Sequence, residues 1–568
     1  MPHLRIGKLR AYEDSEVKHI QHSEDTRALR PGDIIQNFDH ICEWDEDCIS
    51  FDVCESWRGL GDASCDKALR DVFSGPSSSV GKDLLKTLEE HASARSDTSN
   101  AAQDFLDEMN QAPPAGILAS EEEIVLAQNF FLDNSIQIMQ ALLHYSLAGG
   151  FASPRIVRTL EAVSYLVPHV QHGKGGSSSS DILADVLSNI SKASTDRTFA
   201  RLSETMQFIL DVMGCTASAL PAHPASEHDA TRHADHKETL IENPDALAYL
   251  MPGGDGWRST VRVRLLHGIA RWRVEDRWSR EGNAQPGIPI SQEDMAATLA
   301  AFSTVPIWSL HRLALPPSPA EASAYLALWR HVGYYLGVSP PILLRHFRNT
   351  HTADKFLATA ALHLFSDDPS PSSPTSPTRT ALRGPTIPIL VAVSNRAPLH
   401  TSLFYNIALT THLLGPALSA HLGLPRAPLA ARLRMHAFLL LQRVPHAFAR
   451  WYPRAGWRAK RRAVLREGMV RSVWWNMGLR RTTFRPRTMV RDTGEANGDG
   501  EGEGGAGGEL APGVVEEEGI QRDPVRGKML TRMWSEVWKE MIAVCVIVGA
   551  VASFVSFIGL RFILRSVW

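Results

Sequence analysis

Residues 541–560 constrain this chain most: twenty consecutive residues contain no charge, Pro or Asn. At 1.5 Å per residue, a helix of that length crosses the roughly 30 Å hydrocarbon core of a bilayer. Soluble helices this long normally keep a polar face, so a transmembrane helix is expected, with a buried core helix as the alternative. The N-terminal MPHLRIGKLR is charged and has no apolar run, so no secretory signal is expected. The expected arrangement is a tail-anchored protein. Residues 561–568 lie beyond the membrane, the main body is cytosolic, and the endoplasmic reticulum is the membrane.

Upstream of this run, residues 450–491 carry thirteen Lys or Arg and a single acid, Glu467, interleaved with Trp451, Trp457, Trp474 and Trp475. Indoles settle at headgroup level and cations meet anionic lipid, so the segment reads as membrane-proximal. Single-stranded nucleic acid is the rival partner for cations with aromatics. The neighbouring anchor favours membrane lipids, and no nucleic acid is expected. Residues 492–520 read as an acidic, Gly-rich linker. Within them Gly502, Gly504 and Gly507 satisfy G-x-G-x-x-G only formally, because no strand precedes them.

Apolar residues form 44% of the chain and charged residues 21%, a globular balance, and the net charge of −3 gives no global pull toward nucleic acid. Helical periodicity is expected over residues 121–149, 154–167, 182–190, 199–213, 260–273, 292–302, 319–336 and 402–443. Ser291 before Asp294 resembles a capping box, while strand alternation is scarce. The body, residues 61–450, is therefore read as one all-α domain. Insertions near 173–180, 216–239 and 366–380 are expected to be disordered. Residues 1–60 carry no readable role.

Metal and catalytic signatures are few. Cys42, Cys48, Cys54 and Cys65 lack C-x-x-C pairing, and with Cys215 and Cys545 they are expected to be free thiols. His223, His228, His233 and His236 fall in a Pro- and Asp-containing insertion without partner ligands, and a loop is expected. G-x-S-x-G, Walker A, H-E-x-x-H and C-x-x-C-H are all absent. In V-R-L-L-H-G-I-A-R, helical spacing puts Arg264, His267 and Arg271 on one face. Neighbouring cations disfavour protonation of the imidazole, which can then ligate a metal, and guanidiniums can pair with haem carboxylates. An ordinary amphipathic helix has the same pattern. On a second stretch, R-L-S-E-T, Arg201 and Thr205 share a face one turn apart beside an apolar wall.

Taken in order, the stretches Q-N-F-F near Gln128, L-L-H-Y-S-L-A-G-G-F (142–151), R-L-S-E-T (201–205), V-R-L-L-H-G-I-A-R (263–271), I-P-I-S-Q-E-D-M-A-A-T-L-A-A-F-S (288–303) and L-W-R-H-V-G-Y-Y-L-G-V (328–338) resemble the rubber oxygenase, or latex clearing protein, family. The resemblance extends to its fungal ER-bound oxygenase branch of mycophenolic acid biosynthesis. It implies a globin-like helical domain holding haem b, with His267 as the axial iron ligand, Arg264 and Arg271 as propionate partners, and Arg201 and Thr205 on the catalytic face. Gln292 and Thr298 match a further family motif. Glu204 stands where the family has a distal lysine, and Asp181 and Asp185 are candidates for its distal acid. The implied reaction is oxygen-dependent cleavage of a carbon–carbon double bond in an isoprenoid or other lipophilic chain. Another haem-dependent oxidation, peroxidase-like or hydroxylating, is an alternative, as is a non-catalytic membrane-associated scaffold.

Overall fold

The computed structural model describes residues 4–6, 13–20, 22–94, 100–163, 187–188, 190–216, 246–282, 287–365, 385–397, 399–487 and 523–567. Most of the three expected insertions, the His223–His236 cluster, Asp181, Asp185 and the acidic linker lie outside these residues. The chain opens on short strands, β1 (Leu4–Ile6), β2 (Val17–His19), β3 (Ile34–Asn37) and β4 (His40–Glu43), in the order β1-β4-β3-β2. Only β3 and β4 run antiparallel, registered through Ile35 and Cys42.

Helices follow: α1 (Phe51–Arg58), α2 (Ala63–Val72), α3 (Leu84–Ala94), α4 (Ala101–Met109), α5 (Glu121–Asp133) and α6 (Ser135–Ala141). A π-helical segment (Leu142–Leu147) leads towards α7 (Pro154–Ala162) and α8 (Lys192–Val212). Next come α9 (Asp255–Glu281), α10 (Gln292–Arg312), α11 (Pro319–Tyr335), α12 (Pro340–His346), α13 (Thr350–Leu364), α14 (Thr386–Val393), α15 (Leu403–Leu414), α16 (Pro416–His421), α17 (Leu429–Trp451), α18 (Ala455–Asn476) and α19 (Pro524–Val567). The protein is helical throughout its body, as the periodicity requires.

The central helix is α10, which packs against α6, the π-helical segment, α11 and α13. Its start is the expected box: Ser291 N–H donates to Asp294 Oδ2 at 3.0 Å, and Asp294 N–H donates to Ser291 Oγ at 3.3 Å. Pro306 sits inside this helix and has no N–H for the carbonyl of Phe302. Tyr325 of α11 supplies the missing donor, its hydroxyl lying 3.1 Å from that oxygen. A sequence irregularity thus becomes a helix–helix tie.

Three expectations change. The run 402–443 breaks into α15, α16 and α17, because Gly415 takes φ 86° and Pro425 and Pro428 separate the next two helices. Described residues within 1–60 pack on the helical body: Ile49 and Cys54 join the main core and Asn37 Nδ2 donates to Ala358 O of α13 at 2.9 Å. The basic segment folds back on the body as α18, burying Trp457 and Trp474, while Trp451 and Trp475 are exposed. Several of its cations have protein partners: Arg461 and Arg462 bind Asp133, and Lys460 binds Glu536. The cysteines are free, as expected, with all but Cys545 buried.

Candidate active site

The helix α9 begins after Gly254 and stops at Gly282, whose left-handed φ of 67° ends it. Midway along it, Gly268 lets α9 press on α2: a Cβ there would lie 2.5 Å from Leu69 Cδ1 and 2.8 Å from Cys65 Sγ. On the same face, about a turn to either side, stand Arg264 and Arg271. Arg264 Nε and Nη2 donate to Asp62 at 2.7 and 2.9 Å, and Nη1 and Nη2 donate to Glu108 at 3.1 Å. Arg271 Nη1 donates to Asp66 at 2.5 Å and Nη2 to Ile290 O at 3.0 Å, leaving Nε buried without a partner beneath Gly61. Arg264 and Arg271 share this face, and their guanidiniums are engaged by α2 and α4. They brace the helix on the rest of the fold, where propionate pairing was expected of them.

His267 lies beside this contact, rotated away from it. Its Nδ1 is buried with no hydrogen-bond partner. Burial first, and the Arg271 charge second, lower its pKa to about 4, against an opposing pull from Asp62. The expected neutral imidazole is present, and loss of hydration is its main cause. Yet the residue is only half-buried. The ring thus keeps some accessible surface while its Nδ1 is enclosed. Val263 and Leu266 of α9 and Phe302 of α10 are likewise half-buried within the main core.

The helix α8 packs directly on α9. Arg201 and Thr205 are both half-buried on it, among the fully buried Leu202, Ser203 and Glu204. Arg201 Nη1 donates to Glu204 Oε2 at 3.0 Å, and Thr205 Oγ1 donates to Arg201 O at 3.3 Å. Burial and then the Arg201 charge hold Arg273 of α9 below its ordinary pKa, which places these two arginines across the α8–α9 contact.

A strap after α18 closes this contact from outside, and its sequence gave no sign of it. Thr482 N–H donates to Gln207 Oε1 at 2.9 Å, and Gln207 Nε2 returns a bond to Thr482 O at 3.0 Å. Phe484 is buried edge-on to Phe208. Arg487 binds Glu204 through its guanidinium, and its carbonyl accepts from Arg273 Nη1 at 3.0 Å. Glu204 is therefore held by Arg201 and Arg487 together.

The other motif residues divide. Gln292 is a structural knot: Nε2 donates to Gly61 O and Gly337 O, and Oε1 accepts from Ser339 N–H at 2.8 Å. Thr298 is exposed although its neighbours in α10 are buried. In the π-helical segment, His144 Nδ1 meets Thr410 Oγ1 at 2.8 Å and Ser146 Oγ donates to Ala301 O at 2.6 Å, so this stretch ties α15 to α10.

Residues 163–444 match the catalytic domain of the family described as ER-bound oxygenase mpaB/B'/Rubber oxygenase. Over these residues the chain carries that family's catalytic domain. It is 27% identical over 162 residues to a rubber oxygenase of Streptomyces sp. (strain K30), a match spanning 26% of this chain and 39% of that relative's length. A solved structure of latex clearing protein in the closed state aligns over 73% of this chain and 90% of its own at 17% identity, with a TM-score of 0.40. The family match, residues 163–444, takes in Arg201, Thr205, Arg264, His267 and Arg271. The groups that brace them, Asp62, Asp66, Glu108 and Arg487, lie outside it.

Proposed function

We propose that this protein is a membrane-anchored, haem b-dependent oxygenase that cleaves a carbon–carbon double bond in an isoprenoid or similar lipophilic chain. The observation that carries the reading is His267 Nδ1, a buried ring nitrogen with no protein partner, on the helix that packs against α8. It suits an axial iron ligand, because the imidazole is neutral at physiological pH and its helix is fixed by Gly268, Arg264 and Arg271. Arg271 Nε is a further buried donor still without a partner.

Bound haem supplies an iron centre that activates dioxygen, so that the two oxygen atoms end in two carbonyl groups and the double bond is broken. The protein positions and excludes. Arg201 presents a cation from α8 suited to donating hydrogen bonds to oxygen atoms, while the Thr205 hydroxyl, whose proton goes to Arg201 O, keeps its lone pairs free to accept. Glu204 is turned into the Arg201–Arg487 pair, which keeps its charge compensated. Apolar walls from Val263, Leu266 and Phe302 exclude water and suit a hydrocarbon chain. The helix spanning residues 524–559 is long and apolar enough to cross a bilayer, and only 6% of its most apolar window is buried. It would hold the body at the endoplasmic reticulum membrane, where such chains dissolve.

The reading is tested by incubating the full chain, haem-loaded in lipid nanodiscs, with polyprenyl substrates under isotope-labelled dioxygen. Two shorter carbonyl products, each carrying one labelled oxygen, are expected. A hydroxylated, uncleaved chain would assign a different haem oxidation, and no consumption of substrate or oxygen would leave the scaffold.

A further inference from the structure

The helix α17 has the opposite of a soluble surface. Its inner face buries Met435, Leu439 and His446. Its outer face exposes Leu429, Leu433, Leu440, Leu441, Val444 and Trp451, each at least 41% accessible. These positions recur at helical spacing, so they form one continuous stripe about 34 Å long at 1.5 Å per residue. Isolated exposed leucines need no explanation, but an aligned stripe of this kind marks a contact surface.

Two features indicate what covers it. First, the stripe ends at the anchor: Phe448, Ala449 and Tyr452 pack on Val537, Trp538 and Met541 of α19, Trp457 Nε1 donates to Val537 O at 3.0 Å, and Tyr452 OH donates to Glu540 at 2.7 Å. Met541 is where the uncharged run begins, so the last turn of α17 is fixed at the level where the chain would enter a bilayer. Second, the charge is one-sided. No Asp or Glu occurs between Asp368 and Glu467, while fourteen Lys or Arg do, among them Arg432, Arg434 and Arg450 on α17 itself. An apolar stripe flanked by cations and ending in Trp and Tyr matches the boundary between headgroups and acyl chains of an anionic membrane.

A groove of about 290 Å³ opens beside the stripe, lined by Leu399, Thr401, Tyr405, Arg434, Ala437, Phe438 and Leu441. Its polar lining is Thr401, Tyr405 and Arg434. The Tyr405 hydroxyl, on a side chain 3% exposed, is buried without a partner. A buried unsatisfied donor and a cation in the lining of a mostly apolar trough supply the donor set for an acidic head on a hydrocarbon tail.

We propose that the outer face of α17 is seated in the membrane interface next to the anchor, and that this groove takes one lipid-like chain with an acidic head from that layer. The proposal rests on the anchor reading of α19 and adds the surface through which a lipophilic molecule reaches the body.

The full chain, with Cys545→Ser so that the remaining native thiols are buried, is labelled with an environment-sensitive fluorophore at Leu440→Cys, Phe554→Cys or, as a control, Glu90→Cys, and reconstituted into anionic vesicles. The labels at 440 and 554 are expected to blue-shift and to be quenched by lipid brominated on its acyl chain, while that at 90 is not. A quenched 554 with a wet 440 overturns the proposal and leaves the anchor standing. If 554 is wet as well, the anchor reading fails and the proposal with it. For the groove, a chain-diazirine fatty acid in the same vesicles is expected to crosslink to peptides spanning residues 399–441. Ala437→Trp, which fills the trough, should abolish this crosslink without changing the signal at 440. Absence of groove crosslinks in the wild type, or persistence in Ala437→Trp, contradicts the groove assignment.

Discussion

Arg264 and Asp62 meet in a two-pronged ion pair, Nε to Oδ2 at 2.7 Å and Nη2 to Oδ1 at 2.9 Å, with neither side chain more than 5% exposed. Burial works to lower the Arg264 pKa, and the charge and hydrogen bonds of Asp62 together with the charge of Glu108 outweigh it, holding the guanidinium above its ordinary value. The pair fixes the register of the His267 helix against the start of α2. Removing one partner strands a buried charge, which costs about 3–5 kcal/mol. Because Glu108 still contacts Arg264, Asp62→Ala should lose about 3 kcal/mol, read by chemical denaturation of the detergent-solubilised chain. A loss below about 1 kcal/mol would show that the pair does not brace the helix.

Gly268 sets the depth at which α9 sits. A methyl group there meets Leu69 and Cys65 at distances that require a shift of one helix. Gly268→Ala should cost about 1–3 kcal/mol and displace His267. Combining it with Leu69→Ala should recover part of the loss, and failure of that rescue would contradict direct packing as the cause.

Arg487 reaches Glu204 from the strap, in a pair whose arginine is 38% exposed. Solvent screening limits the stability effect of Arg487→Ala to about 1 kcal/mol. The larger expected effect is local: faster amide exchange over residues 479–487 and 201–207, with the rest of the body unchanged. Uniform exchange across the two proteins would argue against a strap that clamps α8.

Asp354 accepts a bond from Trp308 Nε1 at 2.7 Å, and burial pushes its pKa up to about 7. The folded state then holds a proton that the unfolded chain gives up near pH 4, so this carboxyl costs stability as pH rises from about 4 to 7. Asparagine keeps the acceptor and cannot ionise. Asp354→Asn should melt with the wild type at pH 4 and several degrees above it at pH 8. Parallel curves at all pH values would refute the shifted carboxyl.

What the sequence makes legible follows the range of the interactions. The helix carrying Arg264, His267 and Arg271, the Ser291–Asp294 box and the uncharged run near the C-terminus are local patterns, readable within a few turns. Asp62 and Asp66 are about 200 residues from the arginines they pair with, so a cationic face reads the same whether it meets haem carboxylates or protein carboxylates. The Arg- and Trp-rich segment illustrates the same ambiguity: its composition suits a membrane, yet Trp457 and Trp474 are buried and Arg487 turns inward to Glu204. The apolar stripe on α17 shows in the sequence only as helical periodicity, which records which residues share a face and not what covers it.

The most direct test of the central claim is the absorption spectrum of the full-length protein, purified in detergent after expression with haem supply, beside His267→Ala. The account predicts a Soret band in the wild type at close to one haem per chain, lost or strongly shifted in the variant while its far-ultraviolet dichroism stays helical. A folded wild type that takes up no haem, or a variant with an unchanged Soret band, would contradict His267 as the iron ligand.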